Sequence, residues 1–208
     1  MKSVSNKIDN VFEKWTSGLS EEEKRINVFN NIRSIPYCIV PGHFDPEKGP
    51  GLMLEENRGF CTPKHYFLGD LYGKLGIRVR YHTYAFLWKD TAASQNKELE
   101  ALAEKLPITY HLACKAFIGT KWILLDATWD DELSRLGFSV NFAWDGLSNT
   151  ALAVKPLEEF VHDTISEREK FFKEKTSAYT LSDKRNLTRF SSELNKWLEN
   201  ARKKLGVL

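Results

Sequence analysis

Three residues of this chain have the types and surroundings for covalent acyl chemistry: Cys61, His111 and Asp126. Cys61 leads into Thr62-Pro63, and proline suits the first turn of a helix, so the spacing predicts a helix that opens near the cysteine. A helix N-terminus presents unpaired N–H groups and about half a positive charge, both of which favour thiolate over thiol. The same N–H groups can hold an oxyanion. Such a nucleophile needs a base, and the base needs an orienting group. His111 and Asp126 lie on two strand-like runs, 108–118 and 121–128, that flank Gly119-Thr120. Glycine first in a two-residue turn predicts a type II′ hairpin. Pairing Ile118 with Lys121 then sets Ala113 opposite Asp126, which makes His111 and Asp126 diagonal neighbours on one sheet face with Cα atoms roughly 7–8 Å apart. A one-residue slip would put them on opposite faces. The competing structural reading is a small cysteine that packs a helix start and an unrelated edge-strand ion pair.

Other residues compete for roles. His65, four residues after Cys61, shares its helix face and is a candidate second base, half of a metal site, a groove-lining residue or the cap of a core contact. A Cys-x-x-x-His pair without any Cys-x-x-Cys is no zinc motif, so no metal and no organic cofactor is expected. Cys114 has the opposite strand parity to His111 and reads as core, as does Cys38. His43, in a turn-rich stretch, reads as a surface histidine. Asp130 and Asp131 are alternatives to Asp126 as third member, but the parity of the strand favours Asp126. Trp122, Trp129 and Trp144 are candidates for a substrate cleft or for packing.

These residues must be positioned by the surrounding elements. Residues 5–17 carry Ile8, Val11, Phe12 and Trp15 at helical spacing, and Ser20 with Glu23 forms a capping box for a helix that ends before Pro36. Residues 38–58, punctuated by prolines and glycines, predict a long loop. A helix runs from Cys61 to Leu75 with Gly76 as its stop. Residues 77–87 alternate and predict a strand with one buried face. A short charged helix or insertion falls at 95–105, and Ala151–Val154 reads as a further short strand. From Pro156 onward the pattern turns helical, ending in a long amphipathic helix with Leu187, Phe190, Leu194, Trp197 and Leu198 on its buried stripe. Helices at both ends of an antiparallel sheet give an α+β class. The 208 residues are expected to form one domain, with a core at about 26–155 and a helical C-terminal extension at 156–208.

Composition narrows the function. Lys plus Arg number 30 and Asp plus Glu 28, a net +2, which argues against a nucleic-acid binder. No apolar run approaches the ~18 residues of a membrane helix, and Met1–Asn10 lacks the apolar stretch of a signal peptide. Three cysteines with no export signal point to free thiols in a reducing, cytoplasmic setting.

The segment Gly59-Phe60-Cys61, continuing through Tyr66-Phe67-Leu68-Gly69-Asp70-Leu71 to Gly76-Ile77-Arg78-Val79-Arg80, resembles the nucleophile segment of the transglutaminase-like superfamily. Tyr110-His111-Leu112-Ala113 with Trp122-Ile123-Leu124-Leu125-Asp126-Ala127-Thr128 is similar to its histidine strand and Trp-x-x-x-Asp-x-Thr strand. Ile35-Pro36-Tyr37 fits the upstream part, and the likeness covers about residues 26–130. The resemblance implies a papain-like α+β fold with the cysteine helix packed on an antiparallel sheet. It also implies thiol acyl chemistry on a peptide, protein or small amide substrate: amide hydrolysis, or transfer from glutamine to an amine. By carry-over Cys61 is the nucleophile, His111 the general base and acid, and Asp126 the orienter. Leu112 departs from the aromatic common after the histidine. No clear side-chain oxyanion donor stands upstream; Tyr37, Asn57 and the Cys61 N–H are the candidates. Asn57-Arg58-Gly59-Phe60-Cys61 also resembles the Arg-Gly-x-Cys segment of arylamine N-acetyltransferases. The rival class is a non-catalytic peptide- or glycan-binding module on the same fold. A third possibility is a scaffold that docks a partner through its last helix. The sequence specifies no oligomeric state.

Overall fold

In the computed structural model, which describes residues 2–206, a four-stranded antiparallel sheet is wrapped by helices. Two helices, α1 (Lys2–Thr16) and α2 (Glu21–Ser34), open the chain. The capping box is present: the Ser20 hydroxyl accepts from the Glu23 N–H while the Glu23 carboxylate accepts from the Ser20 N–H. The punctuation of 38–58 predicts a loop, but the structure builds a short 3-10 turn (Pro41–Phe44) and a helix, α3 (Gly49–Glu56). Pro50 falls in the first turn, where its missing N–H costs nothing, and Asn57 closes the helix in a left-handed conformation (φ 46°).

The cysteine helix, α4, spans Cys61–Lys74, and Gly76 (φ 73°) stops it. It is buried along most of its length, so it is the central helix. A Cβ at Gly69 would collide with the Tyr81 hydroxyl, so glycine lets the helix approach the sheet this closely.

The strands β1 (Val79–Phe86), β2 (Thr109–Ile118), β3 (Lys121–Leu125) and β4 (Glu158–His162) stand in the order β3-β2-β1-β4. A short helix, α5 (Lys97–Ala103), lies between β1 and β2. Ile118 pairs with Lys121 and Cys114 with Leu125, so the hairpin has the register that a two-residue turn requires. Gly119 has φ 62° and Thr120 is not in the left-handed region, as in a type II′ turn. Alternation along β1 predicts one buried face, yet residues 81–86 are buried on both. Tyr81, Leu112, Cys114 and Leu125 pack against Phe67, Leu68 and Leu71 of α4. Tyr84, Phe86 and Ala113, on the opposite face, belong to a second apolar cluster with Trp129, Val154 and Phe190.

The stretch after Pro156 is not helical at once. Glu158–His162 forms β4 and pairs with β1 from Tyr81 to Ala85, covering an edge that would otherwise expose unpaired N–H and C=O groups. Residues 151–154, expected as a strand, form none. The helices α6 (Ile165–Ser177) and α7 (Leu181–Lys204) follow. The stripe of α7 is buried: Phe190, Leu194 and Leu198 are at most 1% exposed. The C-terminal segment therefore supplies both a strand and part of the second core. Among the described residues no helix is long and apolar enough to cross a membrane.

If α7 belongs to the core, Leu198→Ala should lower unfolding free energy by about 2–5 kcal/mol. Urea unfolding measures this; a loss below about 0.5 kcal/mol, the range of surface substitutions, would mean that the helix is an appendage.

Candidate functional site

The site is built where the N-terminus of α4 meets the start of β2 and the chain leaving β3. Cys61 is the first residue of α4, which has no side-chain cap at Phe60. The Cys61 and Thr62 N–H groups are first-turn donors, and Pro63 supplies none. The approach to the cysteine is pinned by a two-bond bridge: Gly59 N–H donates to Pro36 O (3.0 Å) and Cys38 N–H to Gly59 O (2.8 Å).

His111 Nε2 lies 2.8 Å from Asp126 Oδ2. With Nε2 engaged, Nδ1 is the ring nitrogen left for Cys61, and thiol and imidazole shift each other's ionisation. Asp126 sits one residue past β3, on the strand face that the hairpin register assigns to it. Its carboxylate also accepts from Ala153 N–H (2.8 Å, Oδ2) and Thr128 N–H (3.2 Å, Oδ1). Its own N–H donates to Thr150 Oγ1 (2.9 Å). The sequence-predicted trio thus comes together: His111 is bonded to Asp126 and lines one groove with Cys61.

The electrostatics follow from burial and pairing. Burial resists ionising Asp126, but the charge and hydrogen bond of His111 prevail, and its carboxyl is held well below the usual range. Burial likewise disfavours a charged imidazole, yet Asp126 and Cys61 raise His111 to about 10. Cys61 also suffers burial, but the hydrogen bond and charge of His111, with help from the Leu112 N–H, lower it below the ordinary thiol value. At neutral pH His111 is charged, and its pairing with Cys61 shifts the thiol toward the thiolate.

The outlying candidates divide. Tyr37 lines the groove that opens over Cys61, its ring 4.5 Å from Trp129. Asn57 does not: it is the exposed left-handed cap of α3. His65 is fully buried and lines no cleft. One turn along α4, its Nδ1 donates to Cys61 O (2.8 Å) and its Nε2 accepts from Ala127 N–H (3.1 Å), which ties the nucleophile's turn to the aspartate's strand. Burial lowers His65 to about 4, so the ring is neutral. Trp122 is also absent from the cleft. It packs on Phe117 (5.4 Å) under Arg80 (4.7 Å), near the hairpin turn and away from His111. Trp129 does line the groove, whereas Trp144 packs against Phe29 in the first core. His43 is buried rather than at the surface. Among the described residues no group of three or more His, Cys, Asp or Glu side chains converges to hold a metal ion.

Two features escape the sequence reading. Asp130, 0% exposed, accepts from Tyr37 N–H (2.5 Å) and from Arg202 (2.6 Å), which fastens α7 to the segment before the cysteine. And α6 and α7 form one wall of the groove, through Phe172, Leu187 and Ser191 among others. The spacing Thr188, Ser191, Ser192, Asn195 is the signal available for it: a second, polar helical face beside the apolar stripe.

No protein-family model matches the chain, and no curated protein matches it. Among the solved structures that resemble it is one named "a Putative Cysteine Protease from Cytophaga hutchinsonii". The two are 19% identical with a TM-score of 0.42, over 76% of this chain and 50% of that one; the chain spans about half the length of that structure.

Two measurements test the site. Iodoacetamide should alkylate Cys61 with its rate limb below the ordinary thiol value of about 8.5, and His111→Ala should move that limb upward. Cys38 and Cys114, both raised by burial, should lag. For His65 the folded value of about 4 lies below the unfolded ~6.5, so between these the unfolded chain holds a proton that the folded chain refuses. Stability should therefore fall as pH drops through this window. His65→Leu should flatten that fall by up to one proton while costing about 1–3 kcal/mol at pH 7, read by urea midpoints at pH 4.5 and 7.

Proposed function

We propose that this protein is a cysteine-dependent enzyme that cleaves or transfers acyl groups at amide bonds, with Cys61 as nucleophile, His111 as acid and base, and Asp126 as its orienter. The observation that carries the reading is the His111 ring held at 2.8 Å by a buried carboxylate while it lines the same groove as Cys61.

The steps follow from that geometry. The Cys61 thiolate attacks the amide carbonyl and forms a C–S bond. The oxyanion faces the uncapped N–H groups of the first turn of α4. His111 gives its proton to the departing nitrogen as the C–N bond breaks, leaving a thioester. Water, or an acceptor amine, then attacks the thioester. His111 takes the proton of the attacking group, the C–S bond breaks and the thiolate returns. Asp126 holds the imidazole with Nε2 toward itself and favours its charged form before the thiolate attacks and after it is released.

The resemblance of the Gly59-Phe60-Cys61 and His111-to-Thr128 segments to the transglutaminase-like superfamily supports this class and leaves both water and amines as acceptors. A purely binding module has no need of a depressed thiol or of a carboxylate desolvated behind an imidazole. The arylamine N-acetyltransferase-like alternative fits less well: among the described residues no Lys or Arg lines the groove to meet a phosphorylated acyl carrier.

Incubation with a peptidyl p-nitroanilide library should give a burst followed by turnover, and a thioester adduct on Cys61 by mass spectrometry. Cys61→Ala should abolish both, and Asp126→Asn should lower turnover by roughly 10²-fold or more at unchanged thiol content. Turnover that survives Cys61→Ala would overturn the assignment.

A further inference from the structure

We infer that the groove accepts an uncharged, apolar acyl group, and that α6 and α7 select it; the inference rests on Cys61 being the nucleophile. The groove has a volume of about 520 Å³, within the range of a small-molecule or peptide-residue site. The chain is 28% charged, yet among the described residues no Asp, Glu, Lys or Arg lines this groove. Its ionisable groups are the Cys61–His111 pair and the tyrosines Tyr37, Tyr110 and Tyr179, which burial keeps protonated. A charged side chain entering the groove beyond that pair would shed its water and find no counter-charge.

What the groove offers instead is aromatic and hydroxylic. Phe86 lies edge-on to both Trp88 (5.3 Å) and His111 (6.4 Å), so one aromatic wall begins at the reacting centre. Phe44 and Phe172 stack at 6.1 Å in another part of the lining. Along α7, Leu187, Thr188, Ser191, Ser192 and Asn195 line the groove, whereas Lys184, Arg185, Arg189 and Glu193 line an adjoining surface depression that shares Thr188 and Ser192 with it. The charges of this stretch of the helix thus border the groove without lining it. Thr188 donates to Lys184 O (2.9 Å), and Asn195 is held by both the N–H and the carbonyl of Ile39. Ser191 and Ser192 have no hydrogen-bond partner among the described residues, so their hydroxyls are available to a neutral amide of the bound acyl segment.

This wall is fixed in place. The Asn195–Ile39 pair, the Arg202–Asp130 ion pair (2.6 Å) and the bond from Tyr179 Oη to Ile108 O (2.6 Å) hold α7 and the α6–α7 junction at both ends of the groove. A preorganised neutral wall discriminates by desolvation without having to close. The substrate class is therefore an N-acylated peptide or amide whose acyl residue carries an aliphatic or aromatic side chain.

A matched set of benzyloxycarbonyl-alanyl chloromethyl ketones, differing only in the terminal residue (Phe, Leu, Asp or Lys), tests this on the full chain. In each, the thiolate displaces chloride, so a C–S bond forms as C–Cl breaks, and mass spectrometry reports the modified residue. The phenylalanyl and leucyl probes should inactivate Cys61 with second-order rate constants roughly 10²-fold above the aspartyl and lysyl probes. Ser191→Asp should raise the lysyl-to-phenylalanyl ratio by about tenfold; as a ratio within one protein it is insensitive to changes in folding or thiol reactivity. Charged probes that modify Cys61 within about threefold of the phenylalanyl probe would overturn the selectivity while leaving the thiol enzyme intact. If no probe modifies Cys61 faster than it modifies glutathione, the nucleophile assignment fails, and the selectivity with it.

Discussion

A carboxylate removed from water must be met on every side or it unfolds what surrounds it. Asp126, 1% exposed, makes that demand at the centre of the candidate site. It is met by the His111 ring and by the N–H groups of Ala153 and Thr128. Each partner belongs to a different stretch of chain: β2, the loop that returns under the sheet, and the turn just after β3. The same interactions that make the charge tolerable also aim the imidazole and settle its tautomer. Stability and site geometry are therefore not separable here, and the carboxylate's cost is borne by the elements that shape the groove.

Asp130 repeats the device four residues on. Its bonds to Tyr37 and Arg202 join the chain entering α4 to the last turns of α7. Lys64, fully buried nearby, donates to the carbonyls of Arg33 and Thr128, and burial lowers its ammonium to about 7. The cysteine helix is thus clamped by buried polar contacts from α2 and from the chain after β3, and the segment that enters it by the C-terminal helix. His65 adds the innermost clamp, with one ring nitrogen on the Cys61 carbonyl and the other on the Ala127 N–H. Networks of this kind gain geometric definition when every member is satisfied.

Much of this is local enough to be read from residue order. The Ser20–Glu23 box, the helix that opens at Cys61 and stops at Gly76, and the hairpin at Gly119-Thr120 each depend on neighbours within a few positions. The His111–Asp126 contact, although 15 residues apart, is legible because a two-residue turn propagates its register along both strands. Where only long-range partners decide, the reading fails. Glu158–His162 becomes a strand because β1 has a free edge, and 49–56 becomes a helix because Met53 finds a place in the core.

The residues of the site follow the same division. By itself the sequence placed the side chains: a thiol at a helix start, and an imidazole and a carboxylate as diagonal neighbours on one sheet face, because helix ends and hairpin register are short-range properties. Only the tertiary structure decided what surrounds that chemistry. It withdrew His65, Asn57 and Trp122 from the cleft, and it brought Phe172, Leu187 and Ser191 to it from the far end of the chain. Which side of a helix or strand meets a distant element depends on how buried area and buried charge are shared across the whole fold, and no local spacing encodes that.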